Sequence, residues 1–313
     1  MYILVKGSSG LGNRILALST ALWYSRISGR KLIVDWCDGT YSGDNINAFF
    51  AYFDCPSALN IDSLPDTQSI YPQIWRNCLD QSFGGLREKL ALNDTAMSVD
   101  LSRLDYPEEV IVFCAYTHKT AALRNIFTGD YTYLAKLPTQ KIISSILQEE
   151  LSLKDEIKQR VAEFKAKYWT ESTLGVHIRY TDLKIDLAKV YRQVEKFSNH
   201  QIFLATDSQQ IREDFQRRFP KVVTTNKWFP TSNTRLHQNW SECPNRLENG
   251  QEALIDLYLL AECDRLIFSS LSSFGLVASL LSQQPKTKLF DIEKPSLPSR
   301  IIQNFKGLYV DRI

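Results

Sequence analysis

The sequence predicts an α/β protein made of two doubly wound domains facing each other across a cleft, and three observations carry that expectation. The chain opens as strand, glycine-bearing turn, helix and strand, which is the seed of a parallel sheet. From residue 174 onward, short apolar runs alternate with stretches of helical spacing, again the pattern of a parallel sheet. Finally, 313 residues with 44% hydrophobic and 12% aromatic content supply enough apolar surface for two ordinary cores.

Taken in order, residues 2–6 read as a buried strand, and residues 7–13 as a turn carrying Gly7, Gly10 and Gly12. Leu18, Leu22 and Ile27 give 15–27 helical spacing, with Gly29 as its stop and 31–35 as the second strand. Between 36 and 135, turn clusters and scattered aromatics leave 110–114 as the one assignable strand. Residues 139–168 form a charged amphipathic helical stretch that ends the first domain. The second domain then reads as strands at 174–178, 202–205, 222–225, 265–269 and 287–290, with helices at 188–197, 209–218, 252–262 and 274–282. The domains are thus 1–168 and 169–313, with the last residues expected to pack back on the first. Two Rossmann-like domains so arranged form the GT-B architecture of many nucleotide-sugar enzymes.

Lysine and arginine total 37 against 35 acidic residues, so no broad field exists to attract nucleic acid, and any anion site must be local. The six cysteines are scattered without a C-x-x-C spacing, which fits reduced thiols and a cytoplasmic location, including the inner membrane face. The N-terminal apolar run is too short for a signal peptide or anchor, and no transmembrane segment is expected.

The turn Gly7-Ser-Ser-Gly-Leu-Gly-Asn-Arg14 lets backbone approach a ligand closely, and the following helix N-terminus offers N–H groups to a phosphate. The other reading is a tight turn that binds nothing. Asn13-Arg14 stand where a Walker A loop requires lysine and a hydroxyl residue, which disfavours ATP hydrolysis. The looser Gly7-x-x-Gly10-x-Gly12 spacing does fit some dehydrogenases, with Asp35 as a ribose ligand.

His177, Arg179, Thr181 and Asp182 fall at or just beyond the end of a strand, the edge where open α/β sheets bind ligands. Arginine's fork pairs bidentately with phosphate, so Arg179 can stabilise a departing diphosphate; the plainer alternative is a surface ion pair. Asp207 ends another strand, where its carboxylate can accept the paired N–H donors of guanine or cap the next helix. Ser269-Ser-Leu-Ser-Ser-Phe-Gly275 leads from a strand into a helix N-terminus that can hold further phosphate oxygens. Tyr180 and Lys184 match the Y-x-x-x-K pair of short-chain dehydrogenases, although that pair belongs inside a helix and Tyr180 follows a strand.

Together, Gly10-Leu-Gly-Asn-Arg14, His177-Ile-Arg-Tyr-Thr-Asp182, Ala205-Thr-Asp207 and Ser269 through Gly275 resemble the ordered motifs of the α1,6/α1,2/protein-O-fucosyltransferase superfamily, nearest to bacterial nodulation-type and core α1,6-fucosyltransferases. The likeness spans residues 5–35 and 174–282. It implies an inverting, metal-independent transferase moving fucose, or the sugar of a related GDP-sugar, to an oligosaccharide or glycolipid-linked acceptor. Arg179 would hold the donor diphosphate, His177 and Asp207 would line the guanosine pocket, and Ser272, Ser273 and Phe274 would border the phosphates. Asn13 and Arg14 would face them across the cleft, beside the close backbone approach of Gly10 and Gly12. The first domain would carry the acceptor side and the second the GDP-sugar. This sequence differs where the core enzymes carry two adjacent arginines, having Tyr180 in the second place.

On this reading no cofactor is needed, and no two aspartates form the Asp-x-Asp pair typical of metal-dependent transferases. Asp186, in the loop after the H-x-R strand, is the candidate base, with a solvated loop carboxylate as the alternative. Two other classes stay open: an NAD(P)-dependent short-chain sugar dehydrogenase or epimerase, and a non-catalytic glycan-binding descendant.

Overall fold

The computed structural model describes residues 1–43, 46–170, 172–230 and 242–294. The first half forms β1 (Tyr2–Lys6), α1 (Leu11–Ser28), β2 (Lys31–Asp35), α2 (Ala48–Tyr52), β3 (Phe53–Asp54), β4 (Ala58–Leu59) and β5 (Ile70–Tyr71). It continues with α3 (Phe83–Leu90), α4 (Asp94–Met97), β6 (Val110–Cys114), α5 (Thr120–Leu123), α6 (Thr139–Glu150), β7 (Ser152–Leu153) and α7 (Asp155–Tyr168). The second half forms β8 (Thr173–Ile178), α8 (Leu187–Glu195), β9 (Gln201–Thr206), α9 (Gln209–Arg218) and β10 (Val222–Val223). It ends with α10 (Arg246–Glu262), β11 (Arg265–Phe268), α11 (Ser273–Leu281) and β12 (Leu289–Asp291).

Two five-stranded sheets result, in the orders β4-β2-β1-β6-β5 and β10-β9-β8-β11-β12, with every pairing parallel. In each, the strand that starts the half lies at the centre, so the winding reverses between β1 and β6 and between β8 and β11. Such a reversal splays the flanking loops apart and leaves a crevice at the carboxyl edge.

Side chains alternate along each strand, and the alternation sorts the core. Ile3, Val5, Leu32, Val34, Ile111 and Phe113 of the first sheet share one cluster with Phe203, Ala205, Leu266 and Phe268 of the second. Between the two sheets lie α1, α6, α10 and α11, which feed the same cluster. The outer faces have separate cores: Leu4, Ile33 and Val112 pack with Trp75 and Phe83. Leu174, Val176, Ile178 and Leu204 pack with Val190, Val194, Ile211 and Phe215 of α8 and α9.

Three boundaries differ most from the sequence expectation, the others shifting by no more than two residues. Helix α1 starts at Leu11, because Gly10 is an extended cap residue and the Leu11 N–H donates to the Tyr41 hydroxyl at 2.9 Å. Gly12, Asn13 and Arg14 are therefore in the first helical turn. The stretch 139–168 is two helices, broken where β7 pairs antiparallel with β3 and Lys154 N–H donates to Tyr52 O at 2.9 Å. Helix α10 starts at Arg246, capped by Asn245, whose side chain accepts from Glu248 N. The expected packing of the last residues falls on 295–313, outside the described residues. No helix among the described residues is long and apolar enough to cross a membrane.

Candidate active site

The crevice predicted by the reversal at β8 and β11 is a cleft of about 790 Å³ that also reaches the start of α1. Its narrow side is set by Gly12. A Cβ there would lie 2.5 Å from the Ser273 carbonyl carbon and 2.6 Å from the Phe274 nitrogen. The N-termini of α1 and α11 consequently abut, one from each half of the chain, and both present the positive ends of their dipoles. Gly10 and Gly12 line the cleft, and the spacing between the halves depends on the second of them.

His177 comes from the face of β8 that looks into the cleft and is 7% exposed. Its ring stacks on Phe274 with centroids 5.1 Å apart and an interplanar angle of 25°. Burial foremost, then the charges of Lys227 and Arg179, push its pKa down from 6.5 to about 3. The imidazole is neutral, and its buried Nδ1 has no hydrogen-bond partner among the described residues.

Arg179 follows β8 directly and lines the cleft. Its Nε and Nη2 donate to Asp182 Oδ1 and Oδ2 at 2.6 and 2.7 Å, a bidentate pair in a side chain 23% exposed. Asp207, beyond the end of β9, accepts from the Tyr180 N–H and the Thr181 hydroxyl, both at 2.7 Å. It thereby ties down the loop that carries Arg179. The helix cap is Ser208, which accepts from Ile211 N–H at 3.4 Å.

The four serines around the start of α11 divide into two pairs. The Ser269 hydroxyl donates to Glu293 and the Ser270 N–H to Asp291, so these two tie the loop to residues beside β12. Ser273 lines the cleft together with Phe274. Ser272 is the cap residue of α11, fully buried, with its hydroxyl unpartnered among the described residues.

Besides the buried Ser272, which lines neither cavity, three expected site residues are elsewhere. Arg14 does not line the cleft: it is 1% exposed, donates to Asp38 at 2.5 Å and Ser9 O at 2.8 Å, and packs against the rings of Trp36 and Tyr41. The helical start at Leu11 rotates it inward. Asn13, whose side chain donates to Ser9 Oγ at 2.9 Å, lines an adjoining recess. Asp186 caps α8 by accepting from Lys189 N–H at 3.2 Å and lines neither cavity, so the alternative of a loop carboxylate with a local task describes it better than that of a base.

Sequence reasoning missed Tyr41, Lys227, Asn249 and Asp256, which also line the cleft. Lys227 and Asp256 form an ion pair at 2.5 Å with side chains 10% and 2% exposed, and the Thr225 hydroxyl donates to the other carboxylate oxygen at 2.6 Å. A lone carboxylate in the apolar run Ala253-Leu-Ile-Asp-Leu-Tyr-Leu-Leu260 was a usable signal, because an acid on a buried helix face requires a partner. Among the described residues, no group of three His, Cys, Asp or Glu side chains is placed to hold a metal ion.

The dinucleotide elements are otherwise engaged. Asp35 is ion-paired with Lys6 and accepts from Cys37 N–H at 2.9 Å. A Cβ on Gly7 would meet Arg14 Nη1 at 2.3 Å and Trp36 at 2.7 Å, so the chain's own side chains fill the space against that turn. Tyr180 and Lys184 lie in an irregular loop, with the ammonium 5.7 Å from the ring centroid.

A family model described as Nodulation protein Z (NodZ) matches residues 140–304. Nodulation protein Z of Azorhizobium caulinodans is 25% identical over 325 residues, covering 93% of this chain and 91% of that protein. Its counterpart in Sinorhizobium fredii is 26% identical, with 94% of each chain covered. A crystal structure of NodZ α-1,6-fucosyltransferase soaked with GDP-fucose matches with a TM-score of 0.61 at 24% identity, over 90% of this chain and 92% of that one. That likeness shows a shared fold, the GT-B arrangement of two α/β domains.

Proposed function

The chain belongs to the NodZ family, and from that premise we propose that it is a fucosyltransferase, moving fucose from GDP-fucose to a hydroxyl of an oligosaccharide acceptor with inversion and without a resident metal. The observation that carries the reading is the convergence of Arg179 with the abutting N-termini of α1 and α11 in one cleft.

In the displacement, the acceptor oxygen bonds to the anomeric carbon as the bond to the diphosphate oxygen breaks. Negative charge gathers on the departing GDP. A guanidinium and two helix dipoles, already gathered at the cleft, stabilise that charge. Asp207 holds the Tyr180–Thr181 loop, and with it the reach of Arg179. Neutral His177, flat against Phe274, gives the pocket a wall that takes up no proton at neutral pH. The free state of all six cysteines suits a reducing, cytoplasmic setting, and contact with the membrane face belongs to the same reading.

Arg179→Ala tests this assignment. Removal of a leaving-group stabiliser should lower the transfer rate by at least about a hundredfold, roughly 3 kcal/mol, in an assay that weighs the product of GDP-fucose and an oligosaccharide library. A loss within about tenfold, below about 1.4 kcal/mol, contradicts the role. The same preparation should gain thermal stability from GDP, and stabilisation by NAD(P) in place of GDP would favour the dehydrogenase class.

A further inference from the structure

Beside the donor cleft is a second recess, of about 870 Å³, that shares Arg179 and Ser273 with it. Ser9, Asn13 and Thr117 line it from the first half of the chain, and Asp182 and Leu271 from the second. Thr117 is exposed and Leu271 is 66% exposed, so the recess opens to solvent. Hydroxyls, an amide and a carboxylate beside aliphatic surface suit the polar edge and C–H face of a neutral sugar.

We propose that this recess receives the acceptor saccharide and that Asp182 takes the proton from its attacking hydroxyl. The inference rests on the fucosyl-transfer reading and adds the base that reading lacks. Among the described residues lining the recess, Asp182 is the carboxylate present. The neighbouring acids have other tasks: Asp186 caps α8, both oxygens of Asp207 hold the loop after β8, and Asp256 is paired with Lys227.

The pairing of Asp182 with Arg179 supplies the timing. Both Asp182 oxygens accept from the guanidinium at 2.6 and 2.7 Å. A diphosphate in the cleft competes for the same fork, and as charge builds on GDP it draws the arginine further. Asp182 then loses part of its countercharge while the acceptor hydroxyl is forming its bond to the anomeric carbon. The O–H proton passes to the carboxylate, the new C–O bond forms, and the electron pair of the broken bond leaves with GDP.

The competition makes an unusual demand on Asp182→Asn. Removing the carboxylate's charge frees Arg179 for the diphosphate, so GDP should bind as tightly as in the unaltered protein or several-fold more tightly, while the transfer rate falls at least about a hundredfold. Parallel weakening of GDP binding and transfer would show that Asp182 only props Arg179 and would overturn the proposal, as would transfer within about threefold of normal. Thr117→Trp, at an exposed position that tolerates substitution, checks the recess separately. It should raise the acceptor KM at least about tenfold and leave GDP affinity unchanged. An unchanged acceptor KM overturns the placement. The unaltered protein is measured alongside with GDP, GDP-fucose and a defined set of neutral oligosaccharides; its failure to bind GDP or to transfer would count against fucosyl transfer itself.

Discussion

A histidine enclosed between β8 and Phe274, with Lys227 and Arg179 nearby, resists protonation, and this has a consequence for stability. Below pH 6.5 an unfolded chain protonates this group, whereas the folded protein does so only near 3. The unfolded state binds more protons in that window, so the contribution is complete above 6.5 and is lost as pH falls towards 3. Between about pH 7.5 and pH 5, His177 should account for on the order of 2 kcal/mol of lost stability. Urea unfolding at both values should show a smaller difference for His177→Gln than for the unaltered protein, and equal differences would contradict the buried neutral state. At this scale the sequence was informative where a polar residue ended an apolar strand, as with His177, Arg179 and Asp207. It was uninformative where side-chain direction depended on a helix boundary. Moving the start of α1 to Leu11 sent Arg14 into the core, and Asp186 reads identically as cap or base until the fold shows what faces it.

The elements that meet at the cleft do so through one close contact. Gly12 in α1 touches the first residues of α11, where a methyl group has nowhere to go: the nearest atoms are backbone, at 2.5 to 2.7 Å. Gly12→Ala should therefore push the two helix N-termini apart, costing about 1 to 3 kcal/mol of stability, and should weaken GDP binding beyond what destabilisation explains. Calorimetric titration well below the melting temperature separates the two effects, and unchanged affinity would show that the abutment is packing alone. In the sequence, glycines at 7, 10 and 12 marked a ligand-approaching turn. The space at Gly7 is filled by Arg14 and Trp36, and Gly12 accommodates a second helix. Strands of the second half were legible because apolar runs between helices have few other solutions. The interval 36–135 was not, because its elements are short and owe their positions to tertiary contacts such as Tyr52 with Tyr41 and Trp36 with Phe49.

Two Rossmann-like halves ordinarily suggest two units able to move and unfold separately, but the distribution of apolar contact here argues for one. The inner faces of both sheets bury into the same cluster, with α1, α6, α10 and α11 between them. Polar ties cross the same boundary. The Ser144 hydroxyl donates to Leu280 O at 2.6 Å, the Tyr52 hydroxyl to Leu247 O at 3.0 Å, and Arg246 to Gly39 O at 3.0 Å, while Arg160 pairs with Glu248 at 2.7 Å. Unfolding either half alone would expose a face of that cluster to water and break these bonds, each worth a net of about 1 kcal/mol. Scanning calorimetry should consequently show a single transition, with calorimetric and van't Hoff enthalpies in agreement, in a chain longer than those for which two-state behaviour is the norm. GDP should move that whole transition upward, since its cleft is built by both halves. Two resolved transitions, with only the later-sequence half responding to GDP, would mean that the shared cluster does not couple the domains and that the contact between α1 and α11 opens independently of the core beneath it.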